Sequence, residues 1–146
     1  MQTTDEALDA IERWRAYSQS DALSGAWAVT LRSSGELVGT VMLKRLPLSG
    51  PTQPLPLSND YEIGWHLHPD YWGHGYATEV GAGVMRRALD AGLPVVLAVI
   101  YPDNEPSKQV ARRIGMAYAG RTSRYYNLEV DLFRATGPST RPVVRG

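Results

Sequence analysis

The 146-residue chain has no cysteine, and its 15 lysine and arginine residues equal its 15 aspartate and glutamate residues, so its formal charge is zero. The first absence rules out disulfides, thiolate metal sites and a cysteine nucleophile. The second leaves no general field to draw in nucleic acid or an anionic membrane surface. No apolar run approaches the roughly 20 residues of a membrane span. The start, MQTTDEALDAIERW, is acidic and polar and lacks the apolar stretch of a signal peptide. The expectation is a cytoplasmic globular protein with no nucleic-acid and no membrane partner. The length suits one domain with its own core, placed at 1–136, with a disordered tail over 137–146.

Local patterning predicts an amphipathic helix over 3–17. Thr4 caps it, Asp5 and Glu6 suit its positive end, and Leu8, Ile11 and Trp14 recur at helical spacing. Alternation predicts strands over 27–32 and 37–46, with Ser33-Ser34-Gly35 as their turn. PLSGPTQPLPLSN holds four prolines and reads as a loop. DYEIGWHLHP is a strand stopped by Pro69, 74–91 is a helix, and VVLAVIY is a strand apolar on both faces, as in the middle of a sheet. Asn104 caps the next helix, which carries Pro106 in its first turn, faces Val110, Ala111 and Ile114 inward and stops at Gly115. Strands over 117–122 and 126–133 close the domain. The fold class is α/β: a mixed, mostly antiparallel sheet with flanking helices.

The stretch HPDYWGHGYATE places Gly73 and Gly75 where a helix is about to start, although glycine costs about 1 kcal/mol of helix propensity against alanine. A strand, a glycine-rich turn and a helix start make an anion site. Amides of the first helical turn point at the ligand, the dipole favours negative charge, and bare backbone approaches phosphate oxygens. No Lys-Ser or Lys-Thr follows the second glycine, and Thr78 stands where a dinucleotide fingerprint has its third glycine. Phosphate binding and an ordinary tight turn both remain open on this spacing alone. Gly81 and Gly83, deeper in the helix, suit close packing on the sheet.

EIGWHLHPDYWGHGYATEV followed by AVIYPDNEPSKQVARRIGM resembles the GNAT acetyltransferase superfamily, most of all the branch that acetylates protein N-termini, typified by ribosomal-protein alanine acetyltransferases. The resemblance spans about 3–133. Its most specific parts are W-G-x-G-Y-A-T-E at 72–79 and N-x-x-S at 104–107. It implies a GNAT fold with a splayed central strand pair and acetyl-CoA as cosubstrate in the cleft between those strands. The pantetheine arm would bond backbone groups around His66, Leu67 and His68. The pyrophosphate would rest on the loop that includes Trp72, Gly73, His74, Gly75, Tyr76 and Ala77, with Asn104 and Ser107 on the opposite wall. Three features depart from the family pattern. Asp70 stands where Gln or Arg is common, and Ala111 stands where many members carry a tyrosine acid, which leaves Ser107 as candidate acid. The usual first strand and helix have no counterpart, leaving a sheet edge to be covered, for instance by a second subunit of a homodimer.

Acetyl transfer from a thioester to an amine needs a neutral amine, a stabilised oxyanion and a protonated leaving thiolate. Amides near Leu67 suit the oxyanion, and Ser107 or water suits a thiolate whose thiol pKa is about 8.5. Glu62 is the first candidate base and Asp60 the second. His66 and His68 share a strand face, but no third ligand accompanies them, so no metal is expected. Trp65, Trp72, Tyr125 and Tyr126 read either as packing or as cleft lining. The expected function is an acetyl-CoA-dependent N-acetyltransferase for a primary amine, foremost a peptide N-terminal α-amine, by direct attack in a ternary complex. The alternatives are a non-catalytic acyl-CoA-binding sensor module and an acetyltransferase for a small amine such as a polyamine or aminoglycoside.

Overall fold

The computed structural model describes residues 10–14 and 23–137. Among them, β1 (Ala10–Trp14), β2 (Gly25–Thr30), β3 (Leu37–Pro47), β4 (Leu57–Leu67), β5 (Val95–Ile100), β6 (Ala117–Thr122) and β7 (Val130–Thr136) form one sheet in the order β1-β2-β3-β4-β5-β7-β6. Every neighbouring pair is antiparallel except β4 and β5, which run parallel. Helix α1 (Tyr76–Asp90) is the crossover between those two, and α2 (Glu105–Arg113) follows β5. The mixed, mostly antiparallel α/β sheet expected from the sequence is what forms.

The core follows from strand parity. Val96, Ala98 and Ile100 of β5 join Ile63 and Leu67 of β4 and Val80, Ala88, Ala111 and Ile114 of the helices in one buried cluster. Leu97 points the other way, into a smaller cluster with Leu46 and Tyr125. That is why VVLAVIY reads as apolar on both faces: the main core covers one face of β5, and the cluster with Leu46 and Tyr125 partly covers the other. At the helix ends, Asn104 Oδ1 accepts from Ser107 N at 3.2 Å, and Gly115 at φ 96° lets α2 stop.

Two expectations are corrected. Residues 10–14, inside the helix predicted over 3–17, form β1 instead, paired antiparallel to β2; the rest of that prediction lies outside the described residues. The physical reason is the edge of β2. Its unpaired backbone groups offer a ladder to a nearby segment, and sheet pairing overrides local helical spacing. β1 thus covers the edge of β2 and becomes the terminal strand on that side of the sheet. The last strand begins at Val130 rather than at residue 126, because Tyr126 and Asn127 adopt φ 61° and 57° and make a turn. The predicted tail from 138 onward lies outside the described residues. Pro47 and residues 57–59 of the predicted loop join strand ends, Pro47 at an irregularity in the β3–β4 ladder where a missing N–H is tolerated.

Two glycines predict opposite outcomes. A Cβ on Gly39 would lie 2.2 Å from the His66 carbonyl oxygen and 2.8 Å from Leu67 Cα, both backbone. One on Gly81 would sit 3.5 Å from the Trp65 ring and 3.6 Å from Ile114, ordinary contact, so close packing does not itself demand that glycine. Urea denaturation should show Gly39→Ala losing about 2 kcal/mol or more as β3 is forced off β4. Gly81→Ala should gain up to about 1 kcal/mol from helix propensity. Equal effects from both would contradict the β3–β4 register.

Candidate active site

β4 and β5 share a single bridge, Glu62 with Leu97. Beyond it β4 continues to Leu67 and β5 to Ile100, but each follows its outer neighbour: β4 stays laddered to β3 as far as Leu67, and β5 to β7 as far as Ile100. The two halves of the sheet therefore diverge. A cleft of about 270 Å³ opens there, lined by Thr40 and Met42 of β3, residues 62–66 of β4, residues 98–101 after the bridge, and Asn104 and Ser107 of the α2 start.

Strand parity decides which backbone groups face the gap. His68 N donates to Val38 O at 2.9 Å, so the peptide groups of residues 62, 64, 66 and 68 point at β3, and those of Ile63, Trp65 and Leu67 point toward β5. The Leu67 carbonyl accepts the Trp72 indole N–H at 3.0 Å. The bridge takes the Ile63 amide, so what remains on the cleft edge is the carbonyl of Ile63, the amide and carbonyl of Trp65 and the amide of Leu67. The expectation for backbone groups of His66, Leu67 and His68 is corrected accordingly: Leu67 faces the gap, His66 and the His68 amide turn to β3, the His68 carbonyl accepts from Tyr71 N at 2.9 Å, and Trp65 was missed. His66 does line the cleft. The His68 Nδ1 accepts from Asp70 N at 3.2 Å and lies 3.6 Å from the Asp70 carboxylate. Asp70 is thus an exposed residue turned to its histidine.

At the glycine turn, Gly73 and Gly75 have φ of 82° and 81°, and Gly75 caps α1 with no side-chain cap bond. These left-handed values are what glycine supplies without strain. A Cβ on either would meet nothing within 4 Å, so open space fronts the first turn of α1. An uncapped helix start, bare backbone and room before it fit a diphosphate. His74 stacks on Tyr76 at 5.2 Å between ring centroids; Tyr76 is buried and Ala77 half-buried, so these two contribute to this front through backbone rather than side chain. Trp72 is exposed beside the turn.

The opposite wall is tied down by a buried carboxylate. Asp131 on β7 takes Arg121 at 3.0 Å, Lys108 of α2 at 2.8 Å and the Tyr118 hydroxyl at 3.0 Å. Arg121, Lys108 and Tyr118 hold its carboxyl well below the usual carboxylate range. The Lys108 ammonium also donates to the Pro102 carbonyl, which binds the β5–α2 connection to the same anchor. Asn104 and Ser107 are therefore presented from a fixed helix start. Ala111 is fully buried in the main core, away from the cleft.

Glu62, at the foot of the gap, is 4% exposed. Burial pushes its carboxyl up to about 7, with the Lys44 ammonium opposing. Lys44 Nζ lies 3.8 Å from Oε2, and the Tyr126 hydroxyl donates to that same oxygen. Asp60, the second candidate base, is instead taken by the Tyr125 hydroxyl at 2.7 Å and lies outside the cleft lining. Burial and Asp60 push the Tyr125 phenol up to about 12. The described residues contain no group of three or more metal-binding side chains. They contain no helix long and apolar enough to cross a membrane.

A diverging parallel pair, a glycine turn on a helix start and a buried carboxylate at the fork define a class, and comparison with known proteins agrees. The family model described as the acetyltransferase (GNAT) domain matches residues 1–117. The chain belongs to the GNAT acetyltransferase family. It is 27% identical over 126 residues to the uncharacterized N-acetyltransferase YoaA of Bacillus subtilis, covering 86% of this chain and 66% of that protein. Among solved structures, an acetyltransferase from Agrobacterium tumefaciens is similar at TM-score 0.65 and 26% identity over 82% of this chain and 64% of the other. RimL, a ribosomal L7/L12 alpha-N-protein acetyltransferase solved with coenzyme A, shares the fold at TM-score 0.64 and 16% identity over 84% and 66% of the two chains. The chain spans about two thirds of the length of each.

Two tests follow from this geometry. Gly75→Asn keeps the left-handed backbone, which asparagine tolerates, but places a side chain before the first turn of α1. Calorimetry should show acetyl-CoA affinity down at least tenfold with unchanged circular dichroism; wild-type affinity would remove the turn from the binding site. The raised carboxyl of Glu62 also has a sign for stability. Its proton is held more tightly in the folded state, so wild-type stability falls as pH rises from about 4.5 toward 7 and then levels. Glu62→Gln should therefore gain on wild type across that window, by ~3 kcal/mol at most. A gain that does not change with pH would contradict the buried acid.

Proposed function

We infer that the chain is an acetyl-CoA-dependent N-acetyltransferase acting on a primary amine, foremost the α-amine of a peptide or protein N-terminus. The observation that carries this is Glu62: a buried carboxyl at the fork of β4 and β5, pushed up to about 7 and open to the cleft. A domain that only held an acyl-CoA would have no use for a base poised there.

When bound, the thioester supplies an activated acetyl carbon and a sulfur leaving group. Main-chain amides of the first turn of α1 hold the diphosphate, and the Trp65 carbonyl and amide pair with the pantetheine as an added strand would. The Leu67 amide lies on the same edge, where it donates to negative charge developing on the acetyl oxygen. Glu62 accepts the proton that the amine sheds as nitrogen bonds to the acetyl carbon. The Ser107 hydroxyl or water returns a proton to the departing sulfur, so the carbon–sulfur bond breaks to give free thiol.

The proton balance favours an α-amine. With pKa about 8 it is roughly a tenth neutral at pH 7, and a base near 7 takes its proton at a cost of about 1.4 kcal/mol. A lysine amine near 10.4 costs about 4.6 kcal/mol to deprotonate at that pH. RimL, an alpha-N-protein acetyltransferase of the same fold, supports the same acceptor class.

Release of coenzyme A thiol, measured with N-terminal peptides, polyamines and aminoglycosides, tests the reading. Turnover should be steady and highest with a peptide α-amine; binding of acetyl-CoA without release on any amine would make the domain a non-catalytic module. Glu62→Gln should lower kcat/KM by at least about a hundredfold and abolish the acidic limb near pH 7. An unaltered limb would remove Glu62 as base.

A further inference from the structure

The turn before β7 carries a conformation that its sequence does not favour. Tyr126 and Asn127 are the non-glycine residues at positive φ among those described, and a bulky tyrosine there is strained by roughly 1 kcal/mol or more. The turn is held by the segment after β3. Tyr126 N donates to Pro47 O at 3.1 Å, and Ser49 N donates to Arg124 O at 2.8 Å. Asn127 exchanges bonds with Gly50, accepting its N–H at 2.9 Å and donating to its carbonyl at 3.2 Å. All of this fixes one phenol, whose hydroxyl reaches across to Glu62 Oε2.

Lys44 approaches the same oxygen, 3.8 Å away, and its Nζ lies 5.2 Å from the centre of the Tyr126 ring. Oε2 is thus engaged from both β3 and the turn. No described residue bonds Oε1, which is left to the cleft that Glu62 lines. A carboxylate with one oxygen anchored cannot swing, and its free oxygen keeps one direction.

We propose that Tyr126, with Lys44, is a positioning residue for the reaction: the pair fastens Glu62 Oε2 so that Oε1 is the oxygen aimed at the acceptor amine. This rests on the reading of Glu62 as base and deepens it. Other ionisable groups on this face do not compete for the oxygen. Asp60 is bonded to Tyr125, His66 stands further along β4, and β5 and α2 bring only Tyr101, Asn104 and Ser107 to the cleft beside apolar residues. A hydrogen bond and a nearby cation both favour the charged carboxylate. Losing either raises the pH at which Glu62 ionises.

The test is a carbon-13 titration of the Glu62 carboxyl in wild type, Tyr126→Phe and Lys44→Met, run beside the pH dependence of kcat/KM. Tyr126→Phe should move the carboxyl midpoint upward by half a pH unit or more, and the acidic kinetic limb should move with it. The rate at pH 7 should fall at least threefold and recover in part at pH 9. Lys44→Met should move both in the same direction, which keeps the test open should the phenylalanine variant misfold. A midpoint within 0.2 of wild type in both folded variants overturns the proposal. A midpoint that moves while the kinetic limb stays put leaves the anchoring in place but overturns the aim at the amine, because Glu62 is then not the base.

Discussion

The structure depends on where β4 and β5 stop being neighbours. One bridge, Glu62 with Leu97, joins the half-sheet of β1 to β4 to the half-sheet of β5 to β7. Each strand is better satisfied by its outer antiparallel partner than by the other, so beyond the bridge they follow those partners apart. The gap exposes main-chain hydrogen-bonding groups that a closed sheet would have consumed. Unpaired strand edges in a protein interior are costly, and under the proposed function a ligand lying along the gap like another strand would repay that cost.

Two buried carboxylates show how environment assigns roles. Asp131 is met by a guanidinium, an ammonium and a phenol, stays ionised and serves only to fasten α2 and β6 to β7. Glu62 is equally hidden but meets one phenol and an ammonium at 3.8 Å, so burial outweighs compensation and its proton comes and goes near neutrality. The first arrangement builds a rigid wall; the second builds a group able to exchange protons. Asn104 and Ser107 depend on the first, through Lys108, for their place opposite the second.

Much of this was legible in the sequence where chemistry is local. Gly73 and Gly75, the Asn104 cap, the stop at Gly115 and the two-faced run at β5 each declare themselves by residue type. Glu62 was legible as a candidate because it precedes the cleft-lining residues on the same strand, but its burial was not. What stayed hidden was set by pairing over distance. Helical spacing in residues 10–14 lost to the open edge of β2. The parity of β4, fixed by the bond from His68 to Val38, decided that Trp65 and not His66 offers backbone to the gap. Tyr126 gave no local sign of reaching Glu62, since 64 residues separate them.

The most direct measurement is a crystal structure with coenzyme A bound. The account predicts the pantetheine lying between β4 and β5, paired with Trp65 main chain, and the diphosphate on the amides at the start of α1. A closed gap with the molecule bound elsewhere on the surface would contradict it.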